Sequence, residues 1–273
     1  MCKKIFSIIN QKGGVGKTTT TVNLGTAMAA CDAKVLLIDM DPQGNLSTGL
    51  GVSPAKRSFG TYDVLSSSKK LQDCVIKTEI PNLDVITANE NLLGVEIELS
   101  ADLDRAIKLR ETLRSTSSGK MNYDFILLDC PPALNIITLN ALAASDGAIV
   151  PLQAEFYALE GLSQLLKTID GISSTINNKL KLSGVVLTMF DKRNNLSLQV
   201  EEDVRAYLGE SVFTTKIPRN IRLSEAPSHG IPALIYDHKC AGSEAYISLA
   251  REFLNRVNWE VKEKLLLFHL HLV

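Results

Sequence analysis

Short apolar runs rich in β-branched residues alternate along this chain with longer segments of helical periodicity. This alternation is typical of a mostly parallel β-sheet that is covered by helices on both faces. The sequence therefore predicts an α/β fold in which helical crossovers join the strands. The predicted strands span residues 4–9, 34–39, 83–87, 123–129, 147–152 and 182–189.

The predicted helices span residues 17–30, 95–114, 134–144, 159–174 and 198–208, and a last helix begins near Ser243. Residues 53–68 and 114–122 are predicted loops, and neither is long enough to separate two domains. A chain of 273 residues, 45% of them hydrophobic, can bury one large core. We expect a single domain over residues 1–258, followed by an apolar tail, residues 259–273, whose role the sequence does not define.

The charges of the chain are nearly balanced, with 29 basic and 30 acidic side chains. No overall field therefore draws the protein to nucleic acid or to an anionic membrane, and any such binding requires a local patch. The first apolar stretch is too short and wrongly flanked for a signal peptide. No run approaches the ~18 to 20 apolar residues that span a bilayer. The five cysteines are scattered, which is typical of reduced thiols. We expect a cytoplasmic protein.

A glycine-rich loop stands between the first predicted strand and the first predicted helix. Glycines let backbone N–H groups turn toward an anion, and the helix N-terminus adds partial positive charge. Lys17 is then expected to pair with the β- and γ-phosphates, and the Thr18 hydroxyl to bind Mg²⁺. A plain glycine-rich turn is disfavoured because glycine, lysine and threonine are all in register. The predicted nucleotide-binding residues are Lys12, Gly13, Gly14, Val15, Gly16, Lys17, Thr18 and Thr19.

The loop departs from the common G-x-x-x-x-G-K-[ST] pattern at its start, where Gln11 replaces the first glycine and Lys12 follows. The resulting K-G-G-x-G-K-[ST] pattern resembles the deviant Walker A loop of the ParA/MinD class of ATPases. That resemblance implies a homodimer in which Lys12 of each subunit reaches the phosphates bound by the other, much as an arginine finger does. The alternative is a solvated surface lysine.

Acidic residues follow two of the predicted strands, at the edge of the sheet where nucleotides bind. Asp129 ends the fourth strand and suits coordination of Mg²⁺ through water, in the manner of a Walker B aspartate. Asp41 resembles the switch residue of the class, which orients or activates the attacking water. Asp39 is interpreted as closing the second strand and holding the magnesium shell, and an exchange of roles between Asp39 and Asp41 stays open.

The adenine base is assigned on two grounds. The chain lacks an Asn-Lys-x-Asp motif for guanine, so ATP is favoured over GTP. Pro218 and Asn220, in the segment Ile-Pro-Arg-Asn, resemble the adenine-contacting loop of the class. A strand that ends in a proline-defined turn explains the same residues equally well.

The resemblance extends from Ile5 to about Phe253 and is closest to the short, chromosomal ParA/Soj branch. It implies ATP-dependent dimerisation, sequence-independent binding of double-stranded DNA, and hydrolysis stimulated by a ParB/Spo0J-like partner. Those properties imply a protein associated with the nucleoid. The segments that carry the resemblance are residues 11–20, 39–45, 128–132, 157–162 and 219–230.

The DNA contact is expected on the ATPase surface, because the first strand begins at Lys4 with no helix-turn-helix before it. The candidates are Lys192, Arg193, Arg219 and Arg222, of which Arg193 and Arg222 match DNA-binding positions of the family. Phosphate-contacting arginines that come together on dimerisation would let a nearly neutral protein bind DNA. Arginines that are merely solvated or ion-paired are the alternative.

Three other functions compete with this interpretation. A MinD-like, membrane-recruited ATPase is the main alternative, because that branch ends in a lipid-binding amphipathic helix. Residues 265–273 are apolar except for His269 and His271, and lack the basic face that such a helix needs. The tail could also pack on protein or stay disordered. Metal-cluster relatives of this fold require paired cysteines, which this chain lacks. A metabolic P-loop kinase would not need a second loop lysine, so Lys12 speaks against that function.

Overall fold

The computed structural model describes residues 4–99, 102–115 and 122–259. Within these ranges a single sheet has the order β3-β4-β2-β5-β1-β6-β7, in which every pairing is parallel except that of β3 with β4. This topology confirms the predicted single α/β domain. The strands are β1 Lys4–Ile8, β2 Val35–Asp39, β3 Val75–Lys77, β4 Leu83–Ile86, β5 Phe125–Asp129, β6 Gly147–Gln153 and β7 Leu182–Thr188.

Helices cover both faces of the sheet, and two hydrophobic clusters form the core, one on each face. The described α-helices are α1 Lys17–Ala30, α2 Asn45–Gly49, α3 Thr61–Leu65, α4 Val95–Glu98, α5 Lys108–Ser115, α6 Ile136–Ala144, α7 Ala158–Thr175, α8 Asn195–Leu208, α9 Ile221–Glu225, α10 Ala233–Tyr236 and α11 Ala241–Arg256. Helices α1 and α11 pack together on one face, and α5, α6 and α7 lie on the other. In the part of the chain that is described, no helix is long and apolar enough to cross a bilayer.

The strand register brings the carboxyl ends of the central strands together. Asp129 of β5 pairs with Ile8 of β1 on one side and with Asp39 of β2 on the other. Because the strands are parallel, the loops that follow them leave from one edge of the sheet. Both strand-ending aspartates are fully buried there. The fold therefore places the glycine-rich loop beside two carboxylates.

Helix α1 lies close against the sheet because a glycine faces it. A Cβ on Gly25 would lie 2.7 Å from Cδ2 of Leu37, a fully buried residue of β2. Any larger residue would push the helix, and with it the loop that precedes it, away from the strands. Gly25 thus helps to set the position of the site.

The two borders of the sheet differ. On one side β3 has only three residues and is half exposed. On the other side, residues after α8 lie along β7, where Val185 pairs with Val212. The N–H groups of Phe213 and Ile217 donate to the carbonyls of Val185 and Leu187, both at 2.8 Å. The outer edge of β7 is therefore already paired with its own chain.

Two predictions about local structure need correction, and two others fall largely outside the described residues. The continuous helix over residues 95–114 is wrong, because α4 ends at Glu98, turns include Asp102 and Asp104, and α5 begins only at Lys108. The predicted loop 53–68 contains a 3₁₀ turn, Pro54–Lys56, and the short helix α3. Most of the predicted loop 114–122, and the tail from residue 260 onward, lie outside the described residues.

Candidate functional site

The glycine-rich loop has the backbone that its sequence requires. Gly14 and Gly16 have φ values of 76° and 88°, in the left-handed region that favours glycine. Helix α1 begins directly after Gly16. A Cβ built on Gly13 or Gly14 would meet no atom within 4 Å, so the space beside the loop is open. An open loop at a helix N-terminus can hold a phosphate chain.

Neighbouring strands hold the loop in place. The Asn10 amide donates to the carbonyl of Pro151 in β6 at 2.8 Å, and its Oδ1 accepts from the N–H of Lys12 at 3.0 Å. At the other end, the Thr188 hydroxyl at the end of β7 donates to the carbonyl of Val15 at 2.8 Å. The loop is therefore anchored to two strands before any ligand is considered.

Lys17 lies inside the loop, with only 7% of its surface exposed. Its Nζ donates to the carbonyl of Lys12 at 2.8 Å. Burial lowers the pKa of Lys17, and the nearby carboxylates, Asp129 first and Asp41 less, oppose that effect. A phosphate oxygen would offer this ammonium a full negative charge in place of a carbonyl dipole, which is a stronger partner.

Asp129 accepts two hydroxyl hydrogen bonds from α1. Thr18 donates to one carboxylate oxygen at 2.8 Å, and Thr21 donates to the other at 2.9 Å. Burial raises the pKa of Asp129 to about 8, and the nearby charge of Asp39 adds to the rise. The hydrogen bonds from Thr18 and Thr21 act in the opposite direction. This carboxylate is therefore costly to ionise unless a cation is near.

Asp39 and Asp41 differ in how much of their carboxylate is already engaged. Asp39 accepts from the N–H and the hydroxyl of Ser47, at 2.9 and 2.6 Å, and from the N–H of Asp41 at 3.2 Å. Burial raises the pKa of Asp39 to about 6. The carboxylate of the half-buried Asp41 accepts only from the N–H of Gln43, at 3.0 Å, among the hydrogen bonds described. This arrangement favours Asp41 as the residue able to meet a water.

The donor set fits ATP with Mg²⁺. A threonine hydroxyl and a buried carboxylate, 2.8 Å apart, are hard oxygen donors of the kind that Mg²⁺ prefers. The open glycine loop lies beside them and can supply N–H groups to a triphosphate. Among the described residues, no three His, Cys, Asp or Glu side chains form a cluster that could hold a metal ion. Thr18 would hold the ion directly, and Asp129 through water.

Lys12 lies at the mouth of the loop, outside the phosphate space. Its side chain is 50% exposed, and its ammonium contacts the carboxylate of Glu155, just beyond the end of β6. The two lysines of the loop therefore differ, because Lys17 is buried in the loop whereas Lys12 is half exposed and forms an ion pair at the surface. Thr19, the last of the predicted nucleotide-binding residues in this loop, is half-buried and lies two residues after Lys17 in α1.

Pro218 and Asn220 lie at the same edge of the sheet as the loop. Pro218 forms a bridge with Phe190, just past the end of β7. The Asn220 side chain accepts from the N–H of Arg222 at 2.9 Å and so caps α9. No contact among those described joins either residue to the glycine-rich loop, and their adenine role stays a prediction.

Three of the four candidate DNA-binding cations lie on two adjacent loops at this edge, Lys192 and Arg193 after β7 and Arg219 beside Phe190, whereas Arg222 lies in the short helix α9. Arg193 makes two side-chain hydrogen bonds to Asp191, at 3.1 and 3.0 Å, which lower the pKa of Asp191 to about 2. Arg219 adds to that effect, so it lies near the same carboxylate. Arg222 pairs with Glu225 at 2.8 Å. Lys192 is exposed beside Arg193. The cations do share one region of the surface, and they are partly neutralised within the chain.

Sequence reasoning missed three residues of the site. Thr21 binds Asp129 from one turn beyond Lys17, and its spacing on α1 could have predicted this. Ser47 fixes Asp39 through a short helix that has no periodic signal. Glu155 contacts Lys12, and its only sequence signal is that it follows the carboxyl end of a predicted strand.

Comparisons with known proteins identify the relatives of this chain. A family model described as an AAA domain matches residues 3–182. Chromosome partitioning protein ParA of Caulobacter vibrioides is 54% identical over 93% of this chain and 94% of the relative. Sporulation initiation inhibitor protein Soj of Bacillus subtilis is 49% identical over 91% of this chain and 97% of the relative. A structure named cobyrinic acid a,c-diamide synthase from Mycobacterium smegmatis, with ATP analogue and magnesium, has a TM-score of 0.81 at 32% identity, covering 94% and 96% of the two chains.

The fold and the loop define a P-loop nucleoside triphosphatase of the deviant Walker A class. Its two buried carboxylates, Asp39 and Asp129, stand side by side at the ends of β2 and β5. The sequence relatives narrow the class further. The chain belongs to the AAA domain family and, within it, to the ParA/Soj family of chromosome-partitioning proteins.

Proposed function

We propose that this chain is an ATP-dependent dimeric switch that acts in the partitioning of a chromosome or plasmid. The observation that carries the proposal is the division of labour between the two lysines of one loop. Lys17 is buried beside the phosphate space, whereas Lys12 is half exposed at its mouth. A lysine in that position cannot add to its own site as Lys17 does, but it can reach a site on a second copy.

In this proposal the chain's own residues divide the chemistry. Mg²⁺, when bound, neutralises phosphate charge. Lys17 pairs with the phosphates of its own subunit, and Lys12 supplies a second positive charge to the phosphates of the partner. Asp41 orients the attacking water from the position beside Asp39 where its carboxylate has few other bonds. Loss of the γ-phosphate removes the group that both subunits hold, and the dimer separates.

The proposed output of the switch is sequence-independent binding of double-stranded DNA by the dimer. Lys192, Arg193, Arg219 and Arg222 are the proposed contacts, and one subunit presents them in one region of its surface. Two subunits double the number of phosphate contacts, and affinity rises steeply with that number. A ParB/Spo0J-like partner is proposed to stimulate hydrolysis, and the protein is then associated with the nucleoid in the cytoplasm.

The test compares the wild type with Asp41→Ala in sedimentation velocity, with ATP or ADP and with or without duplex DNA. We expect wild type with ADP to be a monomer, and Asp41→Ala with ATP to be a stable dimer that binds DNA. Specific ATPase activity of the wild type should rise steeply with protein concentration. An Asp41→Ala variant that hydrolyses ATP normally would remove Asp41 from the mechanism, and Asp39→Ala would then be the next variant to measure. In a parallel control, liposomes take the place of duplex DNA, so that binding to DNA and binding to lipid can be compared.

A further inference from the structure

Both the backbone carbonyl and the side-chain ammonium of Lys12 contact other residues of its own chain. Its backbone carbonyl accepts from Nζ of Lys17 at 2.8 Å, and its ammonium contacts the carboxylate of Glu155. Glu155 is the only acidic partner described for the Lys12 side chain. As long as the ammonium stays on this carboxylate, its position is set by its own chain, and reaching the phosphates of another subunit requires it to move or to divide its three donors between the two partners.

Glu155 is held in position by the backbone around it. Its N–H donates to the carbonyl of Gln153 at 2.9 Å, and its carbonyl accepts from the N–H of Ala158 at the same distance. These bonds form a turn between β6 and α7. Two residues before that turn, the Pro151 carbonyl accepts from Asn10, which also fixes the N–H of Lys12. The same small framework therefore positions both members of the ion pair.

We propose that Glu155 is a positioning residue that holds Lys12 in cis, and that the release of Lys12 from Glu155 precedes ATP-dependent dimerisation. The inference rests on the proposed function, because it assumes that Lys12 acts on a second copy. Glu155 then sets the threshold for association. In a single subunit Lys12 is paired with Glu155. The triphosphate bound by a partner subunit must then compete with the Glu155 carboxylate for the Lys12 ammonium.

The expected effect is modest because the pair is exposed. The side chains of Lys12 and Glu155 are 50% and 39% exposed, and ion pairs of this kind are weak and screened by salt. Each dimer must open two such pairs. Loss of both pairs should therefore lower the dissociation constant of the dimer by about 2- to 30-fold at low ionic strength.

The experiment measures the dimer dissociation constant of wild type, Glu155→Gln and Glu160→Gln by sedimentation equilibrium with a non-hydrolysable ATP analogue. Glu160 is an exposed acid in the first turn of α7, with no contact to Lys12 described, so Glu160→Gln makes the same change in net charge. We expect tighter dimers for Glu155→Gln alone. Glu155→Asp keeps the charge on a shorter side chain, so its dimer dissociation constant should lie between those of wild type and Glu155→Gln. The difference should vanish near roughly 1 M salt, where the Debye length is about 3 Å.

A second readout does not depend on dimerisation. With ADP, the rate at which an amine-acylating reagent labels Lys12 is measured by peptide mass spectrometry. Glu155→Gln should be labelled faster than wild type and Glu160→Gln, because the ammonium is no longer paired. Thermal unfolding of the three proteins verifies that each is folded.

The outcomes separate the two proposals. If wild type forms no dimer with the analogue, the proposed function fails and this inference with it. If wild type dimerises but Glu155→Gln dimerises equally or more weakly, the cis role of Glu155 is wrong and the proposed function stands. Equal tightening by Glu160→Gln would reduce the effect to net charge and would also overturn the inference.

Discussion

Three charged side chains at the site are buried, and their pKa values move in the direction that opposes charge. Burial raises the pKa values of Asp129 and Asp39 to about 8 and about 6, and it lowers the pKa of Lys17. A protein selected for stability alone would not bury two carboxylates side by side. Their arrangement is suited to binding a cation, which would stabilise the ionised carboxylates, and a polyphosphate, which would stabilise the charged Lys17.

The first residue-scale prediction concerns pH and Asp129. The unfolded carboxyl ionises near 3.8, whereas the folded one holds its proton until about pH 8, so folding takes up a proton between these values. Stability from this group is therefore complete below about pH 4 and is lost as pH rises toward 8. The Asp129→Asn variant has no carboxyl at this position and therefore lacks this dependence of stability on pH. Relative to Asp129→Asn, the wild type should lose at least about 1 kcal/mol of unfolding free energy between pH 5 and pH 8. Urea denaturation in EDTA without nucleotide measures this, and a constant difference would contradict the assigned burial effect.

The second residue-scale prediction separates the two lysines of the loop. Lys17→Ala should weaken the binding of ATP by at least about tenfold, because a buried, charge-assisted partner of the phosphates is lost. Lys12→Ala should leave the affinity of the monomer for ADP within about twofold, since Lys12 lies outside its own phosphate space. Isothermal titration calorimetry gives both values. Equal losses in the two variants would mean that Lys12 serves its own site.

At the scale of elements, sequence patterns predicted what is buried and regular. The six parallel strands and α1 follow from continuous apolar runs, and α1 has the predicted bounds. The edge strand β3 was missed, because three half-exposed residues leave no pattern. The helix predicted over 95–114 fails because Leu103, in helical register with Leu99, is 99% exposed and supports no apolar face. Among site residues, the loop and the strand-ending aspartates were predictable, whereas Glu155 depends on a contact between distant segments.

An element-scale prediction follows from the position of α1. Gly25→Ala should destabilise the protein by about 1–3 kcal/mol, although alanine favours helices, because the new Cβ meets buried Leu37 at 2.7 Å. Gly171→Ala in α7 is the matched control, since no atom lies within 4 Å of its Cβ position. That variant should gain about 0.5–1 kcal/mol from helix propensity. Chemical denaturation measures both, and a stabilised Gly25→Ala would show that α1 can shift freely.

At the scale of the whole molecule, a net charge of −1 means that the proposed DNA binding has to come from a local patch. The patch residues are themselves paired, Arg193 with Asp191 and Arg222 with Glu225. Both arginines are exposed, Arg193 by 85% of its side chain, so each can leave its acidic partner for a phosphate at little cost. The chain thus keeps its basic groups available without a large basic field.

The whole-molecule prediction is a change in salt dependence. Arg193→Ala or Arg222→Ala should weaken the binding of the ATP-loaded dimer to all DNA sequences alike. If each subunit loses one phosphate contact, the slope of log K against log salt should become shallower by about 2 per dimer. Lys179→Ala is the control, because this exposed lysine precedes β7 and lies far from the patch along the strand. Fluorescence anisotropy over a salt series measures the slopes, and unchanged slopes would remove the arginines from the interface.

The borders of the sheet bear on how such a molecule can meet copies of itself. One side ends in a strand of three residues that includes Lys77, and on the other the carbonyls of Val185 and Leu187 are already satisfied by Phe213 and Ile217. Neither margin offers a long row of free amides for a foreign β-strand, which is the usual starting point for fibres. In the proposed function many copies gather on one nucleoid, and these short or paired margins limit irreversible stacking between them. Reversible contacts between copies are then expected at the end of the molecule that carries the glycine-rich loop.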